Sequence, residues 1–212
     1  MKEYITIDKN TETQFIEKKS KFISNIFYIE NIEEAERYIE QTNKKYNDAT
    51  HNCFAYRFIK DGSLIEKASD NGEPQGTAGL PILNILQKNE LVNVIIIVTR
   101  YFGGIMLGAG GLVRAYSEAA KQSVLNTQKV RNISGEEIEI IIDYSEFEKF
   151  KYYCKKLEIN IDKVEYLEHI VCRISVEILQ KQRLEAEMKI KNIKIVNFNK
   201  IREKYIKISI LK

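Results

Sequence analysis

Val92-Asn93-Val94-Ile95-Ile96-Ile97-Val98-Thr99-Arg100-Tyr101-Phe102-Gly103-Gly104-Ile105-Met106-Leu107-Gly108-Ala109-Gly110-Gly111-Leu112-Val113-Arg114 decides how this chain folds. Its β-branched run lacks the alternation of a half-exposed strand, so residues 92–101 predict a strand buried on both faces. Five glycines follow, and the apolar spacing from Leu112 to Asn126 predicts a helix entered from a glycine-rich loop. Glycine lets main-chain amides approach a ligand, and a helix start attracts phosphate or carboxylate. Arg100 and Arg114 flank the loop, and guanidinium forks suit one shared anion. Gly103, Gly104, Gly108, Gly110 and Gly111 therefore join Arg100 and Arg114 as candidate anion-binding residues. No GK[ST] makes this a Walker loop, and Val113 breaks a dinucleotide fingerprint starting at Gly108. Tight packing of helix on sheet accounts for the same glycines structurally.

Two further stretches upstream carry chemistry. Ser69-Asp70-Asn71-Gly72-Glu73-Pro74-Gln75-Gly76-Thr77-Ala78-Gly79 is a turn-forming run ahead of a predicted helix at 77–88. Converging, Asp70 and Glu73 would form an acid/base or metal pair, and amides near Thr77 would hold an anion. Alternatively Asp70 closes a turn and Thr77 caps the helix. His51-Asn52-Cys53-Phe54-Ala55-Tyr56-Arg57 starts a predicted strand at 52–59, in which Cys53 alternates with Ala55 as core. His51 and Arg57 are its functional candidates.

Around these blocks, periodicity predicts strands at 3–7 and 21–29. A helix at 32–46 has Asn31 as N-cap and Glu34 at the capping-box position, and a strand at 64–68 is joined to the preceding one by the hairpin signal Asp61-Gly62. From 136 onward the pattern is strand 136–143, helix 145–157, strands 161–168 and 170–178, helix 180–191 and strand 193–198, the βαββαβ order of a split βαβ sandwich. A last strand is expected near 204–211. Nine of the ten glycines and both prolines lie between Gly62 and Gly111. The remaining glycine sits in Asn132-Ile133-Ser134-Gly135, where a domain boundary is expected, dividing the chain into 1–130 and 135–212.

The 212 residues, 44% hydrophobic and 30% charged, describe a globular chain of one large or two small domains. The longest apolar run is far below the roughly 20 residues of a membrane span, and the N-terminus carries no secretory pattern, so no membrane is expected and the location reads as cytoplasmic. Three widely spaced cysteines without CxxC suggest neither disulfides nor a zinc cluster. No metal site and no cofactor are expected. The net charge of +3 divides into −1 for residues 1–126 (15 basic, 16 acidic) and +4 for residues 127–212 (18 basic, 14 acidic). Residues 189–212 hold eight basic side chains against Glu203, and Lys189, Lys191, Lys194, Lys200, Arg202 and Lys204 have the composition of a phosphate-backbone contact surface. Lysines alternating with isoleucines also guard an edge strand against pairing.

These blocks resemble the YigZ/IMPACT family. From Gly79 the match runs without a gap through Ile82-Leu83, Leu86, Leu91 and Ile97-Val98 to Arg100-Tyr101-Phe102-Gly103-Gly104 and Gly108, and with Asp70–Gly79 and His51–Tyr56 it covers about residues 18–126. Members commonly show two aspartates before Gly-Glu-Pro; here Asn71 follows Asp70. The resemblance implies an α+β fold of two domains. The first would be like the second domain of a small-subunit ribosomal protein, with a left-handed βαβ unit, and the second ferredoxin-like, similar to modules of the ribosomal translocase elongation factor. It also implies a translation-associated binding role, as eukaryotic relatives modulate translation through protein partners.

The expectation is a binding module rather than an enzyme. RNA or the ribosome would engage a cleft built by His51, Arg57, Asp70, Glu73, Thr77, Arg100, the five glycines and Arg114, with Asp70 and Glu73 orienting the arginines. Two alternatives stand beside it. One is an enzyme acting on a small phosphorylated substrate or nucleotide with Asp70, Glu73 and His51 as acid/base or metal groups. The other is a protein-interaction adaptor.

Overall fold

A computed structural model of the chain describes residues 3–210, Ser209 by its backbone alone. It divides into two compact units, one running from Tyr4 to Arg131 and the other from Asn132 to Ile208.

The first unit begins with β1 (Tyr4–Ile7), β2 (Thr11–Glu17), β3 (Ser20–Tyr28) and α1 (Ile32–Lys45). It continues with β4 (His51–Lys60), β5 (Ser63–Ser69), α2 (Gly79–Lys88), β6 (Val94–Tyr101) and α3 (Ala109–Asn126). Five strands form an antiparallel sheet in the order β2-β3-β6-β4-β5. The apolar run of β6 occupies the centre, and every residue from Val94 to Arg100 is buried. Val94, Ile96 and Val98 join Cys53 and Ala55 against α2 and α3, while Ile95 and Ile97 join Tyr56, Phe58 and α1 on the opposite face. Helices thus cover both sides of the central strands, which is why no polar alternation appears there.

Local signals set the helix ends. Asn31 caps α1 by accepting from the Glu34 amide at 2.8 Å, and the Glu34 carboxylate accepts from the Glu30 amide at 2.8 Å. Helix α3 starts at Ala109, three residues earlier than the sequence spacing indicates, with Gly110 and Gly111 inside its first turn. Helix α2 starts at Gly79 rather than 77. Strand β2 was not expected; the lysine pair Lys18-Lys19, at φ 45° and 65°, turns the chain into β3.

The second unit runs through β7 (Lys129–Ile142), α4 (Tyr144–Lys156), β8 (Ile161–Tyr166), β9 (Ile170–Glu177), α5 (Ile178–Ile190) and β10 (Ile195–Ser209). Strand order β10-β7-β9-β8 is that of a ferredoxin-like βαββαβ sandwich. The inward residues Ile138, Ile140, Ile142, Ile170, Cys172, Ile174 and Val176 pack on Phe147, Phe150, Cys154, Leu184 and Met188 of the helices. Asn132 to Gly135 is strand, not a break. Gly135 is required because a Cβ there would lie 2.1 Å from the Ile206 side chain and 2.8 Å from the Val176 carbonyl oxygen. The expected strands at 193–198 and 204–211 are parts of the one strand β10, with Leu211 outside the described residues.

Among the described residues no helix is long and apolar enough to cross a membrane. All three cysteines are buried and free, and burial pushes each thiol up to about 12.

Candidate functional site

Three stretches far apart in sequence line one hollow of about 390 Å³ in the first unit: Thr50-His51, Gly72-Glu73-Pro74, and residues of the segment from Arg100 to Leu112. Antiparallel pairing places His51 directly opposite Arg100 on β4 and β6. The loop after β5 brings Glu73 beneath them.

Glu73 is the hub. Its Oε1 accepts from Arg100 NH1 at 2.7 Å and from the Tyr116 hydroxyl at 2.8 Å, and His51 Nε2 stands 3.9 Å from Oε2. The Arg100 and Glu73 side chains are only 7% and 3% exposed, so their ion pair is a buried one. Arg100 NH2 donates to Ser20 Oγ at 3.4 Å, and its guanidinium lies between the rings of Phe22 and Phe102 at 5.7 and 5.6 Å. Arg100 Nε has no hydrogen-bond partner among the described residues. Burial raises the Tyr116 hydroxyl far above its ordinary value, keeping it a donor to Glu73, while the Cys53 thiol donates to the Asp70 carbonyl at 2.8 Å and lies 3.4 Å from the Tyr116 oxygen. His51 Nδ1 lies 2.9 Å from the Asn71 carbonyl, an acceptor, so Nδ1 carries the proton of the neutral ring.

Asp70 does not orient an arginine. Its carboxylate accepts from the amides of Gly76, Ala78 and Gly79 at 2.8, 2.9 and 2.8 Å, closing the loop and capping α2. Partial burial raises its pKa, but these three donors outweigh it and carry the carboxyl below its ordinary value. The amides near Thr77 proposed for an anion are therefore occupied. Thr77 is not the cap either, since its hydroxyl donates to the Pro74 carbonyl at 2.6 Å. Asn71, next to Asp70, supplies a donor: its Nδ2 bonds the Asn52 carbonyl at 2.9 Å, which a carboxylate cannot do.

The two other arginines lie elsewhere. Arg57 is six residues along β4 from His51, about 20 Å at strand rise. It pairs with Glu66 at 2.6 Å and donates to the carbonyls of Leu86 and Leu91, tying down the end of α2. Arg114 lines a neighbouring hollow with Lys18, Lys121 and Phe15, so Arg100 and Arg114 do not fork onto one anion there.

The glycines serve separate ends. Gly103 is forced by contact, because a Cβ would sit 2.0 Å from the Lys19 carbonyl carbon, and its amide donates to Ser20 Oγ. Gly104 and Gly108 take φ values of +81° and +70°, where L side chains are strained. Of the five, Gly108 alone lines the hollow, as the N-cap of α3 without a capping side chain. Gly111 lines the hollow of Arg114, and an added Cβ at Gly110 would come 3.6 Å from the Arg114 guanidinium.

The hollow thus unites His51, Glu73, Arg100 and Gly108 of the nominated residues and adds Thr50, Pro74, Phe102, Met106 and Leu107. Phe102 is 50% exposed and Met106 87% exposed. The aromatic pair that follows the arginine in Arg100-Tyr101-Phe102 is the sequence signal that points to this ring. Among the described residues, no group of three or more His, Cys, Asp or Glu could hold a metal ion.

In the second unit the basic tail is partly neutralised. Lys200 pairs with Glu136 and Glu203, Arg202 with Glu137, and Lys204 donates to Ser175. Bonds from Lys181 and Lys200 hold the Glu136 carboxyl below its ordinary value. Lys189, Lys191 and Lys194 are exposed.

Known proteins match along most of this chain. The Impact N-terminal domain family matches residues 18–124, and a domain of unknown function, DUF1949, matches residues 140–189. The IMPACT family member YvyE of Bacillus subtilis is 34% identical over 174 residues, covering 82% of this chain and 80% of its own length. The chain belongs to the IMPACT family. The IMPACT family member YigZ of Escherichia coli is 28% identical, covering 81% of this chain and 84% of its own length. A crystal structure described as that of a hypothetical protein superimposes with a TM-score of 0.60 at 25% identity, covering 95% of this chain and 98% of that one. The three stretches that line the hollow fall within the matched Impact N-terminal domain.

Proposed function

We propose that this IMPACT-family chain is a cytoplasmic, translation-associated binding module that engages RNA, free or within the ribosome, at the rim of the hollow. The observation that carries the reading is the half-exposed Phe102 ring, backed by the buried Arg100 guanidinium beside the open N-terminus of the 18-residue helix α3. A base stacks on such a ring whatever its identity, and a phosphate is favoured at such a helix end. The exposed Lys189, Lys191 and Lys194 would add contacts independent of sequence. Family membership supplies the link to translation.

The test is retention of the full chain on ribosomes and on single-stranded RNA at increasing salt. With about three phosphates neutralised, affinity should fall by roughly 20-fold between 50 and 200 mM salt. Replacing Lys189, Lys191 and Lys194 by glutamate should flatten that slope, and Phe102→Ala should weaken binding at every salt concentration. Absence of retention, or affinity indifferent to salt, overturns the reading. A protein co-purifying in place of RNA would favour the adaptor.

A further inference from the structure

We propose that the outer edge of strand β2 takes an extended acidic segment of a protein partner as an added strand, whose side chains enter a hollow between β2 and α3. This surface is distinct from the hollow around Glu73 and does not depend on the RNA reading.

Strand β2 ends the five-stranded sheet, with β3 as its neighbour. Their register runs unbroken from Thr11 opposite Ile26 to Glu17 opposite Ser20, closed by the tight turn at Lys18-Lys19. Bonded and non-bonded pairs alternate in an antiparallel ladder, and the pair flanking a two-residue turn is a bonded one. Glu12, Gln14 and Ile16 therefore turn their main-chain N–H and C=O groups outward, and these groups have no main-chain partner among the described residues. Native edges are ordinarily blunted by a lysine, a proline or a bulge. Strand β2 has none of the three, whereas β5 at the other edge carries Lys67. The Glu12 carboxylate is drawn aside by Lys45 and Tyr46.

Charge selects the kind of segment. A hollow of about 500 Å³ is lined by Phe15, Glu17 and Lys18 at the end of the strand and by Arg114, Glu118 and Lys121 of α3. Its three cations have no ion-pair partner among the described residues, while Glu118 accepts from Gln122 at 3.1 Å. On the other face of the strand Ile16, 71% exposed, stands opposite Lys21, and both line a second hollow of about 450 Å³. An added strand points alternate side chains to the two faces, so one set would meet Phe15 and α3 and the other would cover Ile16. Carboxylates in that strand would complement Lys18, Lys21, Arg114 and Lys121. A nucleic acid also offers anions, but it lacks the alternating N–H and C=O groups that the edge of β2 can pair.

The test is titration of the full-length, ¹⁵N-labelled protein with an acetylated, amidated heptapeptide of alternating glutamate and valine. The amides of Glu12, Gln14 and Ile16 should shift and gain protection from exchange. The fully N-methylated peptide, which keeps the charges but has no main-chain donors, should bind about tenfold more weakly or worse, as should a lysine–valine counterpart. Gln14→Pro, at an outward edge position where proline is tolerated, should weaken binding about tenfold. Arg114→Glu combined with Lys121→Glu, both at exposed helix positions, should do the same without touching the strand. No shift at millimolar peptide, or equal binding of the N-methylated peptide, overturns the proposal. So does single-stranded RNA shifting these amides where the peptide does not, or protection that rises with protein concentration alone, the sign of a second copy on the edge.

Discussion

Replacing Glu73 by alanine tests whether the hollow is built on a buried ion pair. In the native protein the Arg100 guanidinium has Glu73 at 2.7 Å, Ser20 Oγ at a long 3.4 Å, two aromatic rings and an Nε without a partner. After Glu73→Ala the charge keeps only the serine and the rings, and each ring contact is worth about 1–2 kcal/mol when desolvated. The buried Tyr116 hydroxyl loses its acceptor as well. Removing one partner of such a pair costs about 3–5 kcal/mol, a large part of a domain's stability. Amide exchange of Ile95 to Val98 in the central strand reads the first unit by itself within the full chain, and about 4 kcal/mol should lower its protection roughly a thousandfold. Arg100→Met combined with Glu73→Leu should recover most of the loss, since an apolar pair leaves no unpaired charge. A single-variant effect under about 1 kcal/mol would show a pair screened by water. A double variant as unstable as the sum of the singles would equally refute the reasoning.

The pH profile of Asp70 has a definite sign: with its folded pKa below the ordinary 3.8, its contribution is complete above that value and is lost as pH falls through the lower folded one. The stability gap between wild type and Asp70→Ala, about 2 kcal/mol for a lost cap, should stay level from neutral to mildly acidic pH and shrink below 3.8; a gap growing toward acid contradicts the assignment. Gly103→Ala and Gly104→Ala separate steric from conformational need. The first drives a Cβ into the backbone of Lys19 and should cost about 3 kcal/mol, and the second, in open space at φ +81°, about 1 kcal/mol in urea denaturation. Equal costs would mean that the turn after β2 yields to let Gly103 go.

The legible parts of the fold are those where local pattern and tertiary position agree. The run from Val94 to Val98 admits only a strand covered on both faces, and the alternating isoleucines of β7 and β9 mark one covered face. Strand β2 carries no periodic signal because Thr11-Glu12-Thr13-Gln14-Phe15-Ile16-Glu17 lies at a sheet edge with little apolar surface to bury. Its turn is made by two lysines in the left-handed region, where glycine or asparagine is the usual marker. Gly135 reads as a break in the sequence because the side chain that excludes a Cβ, Ile206, is far along the chain.

Functional residues were harder to place, for a physical reason that runs through the whole site. Turn-rich blocks leave backbone N–H groups without ladder partners, and the nearest carboxylate is drawn in to satisfy them, as Asp70 is by amides six to nine residues away. Arginines on buried strands need counter-charges, so Arg100 takes Glu73 and Arg57 takes Glu66. Charged side chains that look available for chemistry are therefore spent on the fold. What the folded site still offers a partner is what the fold has not used: the exposed face of Phe102 and the uncapped start of α3. Removing the Phe102 ring, which the fold does not use, therefore discriminates between a binding site and a well-braced turn more sharply than any reversal of charges that are already paired.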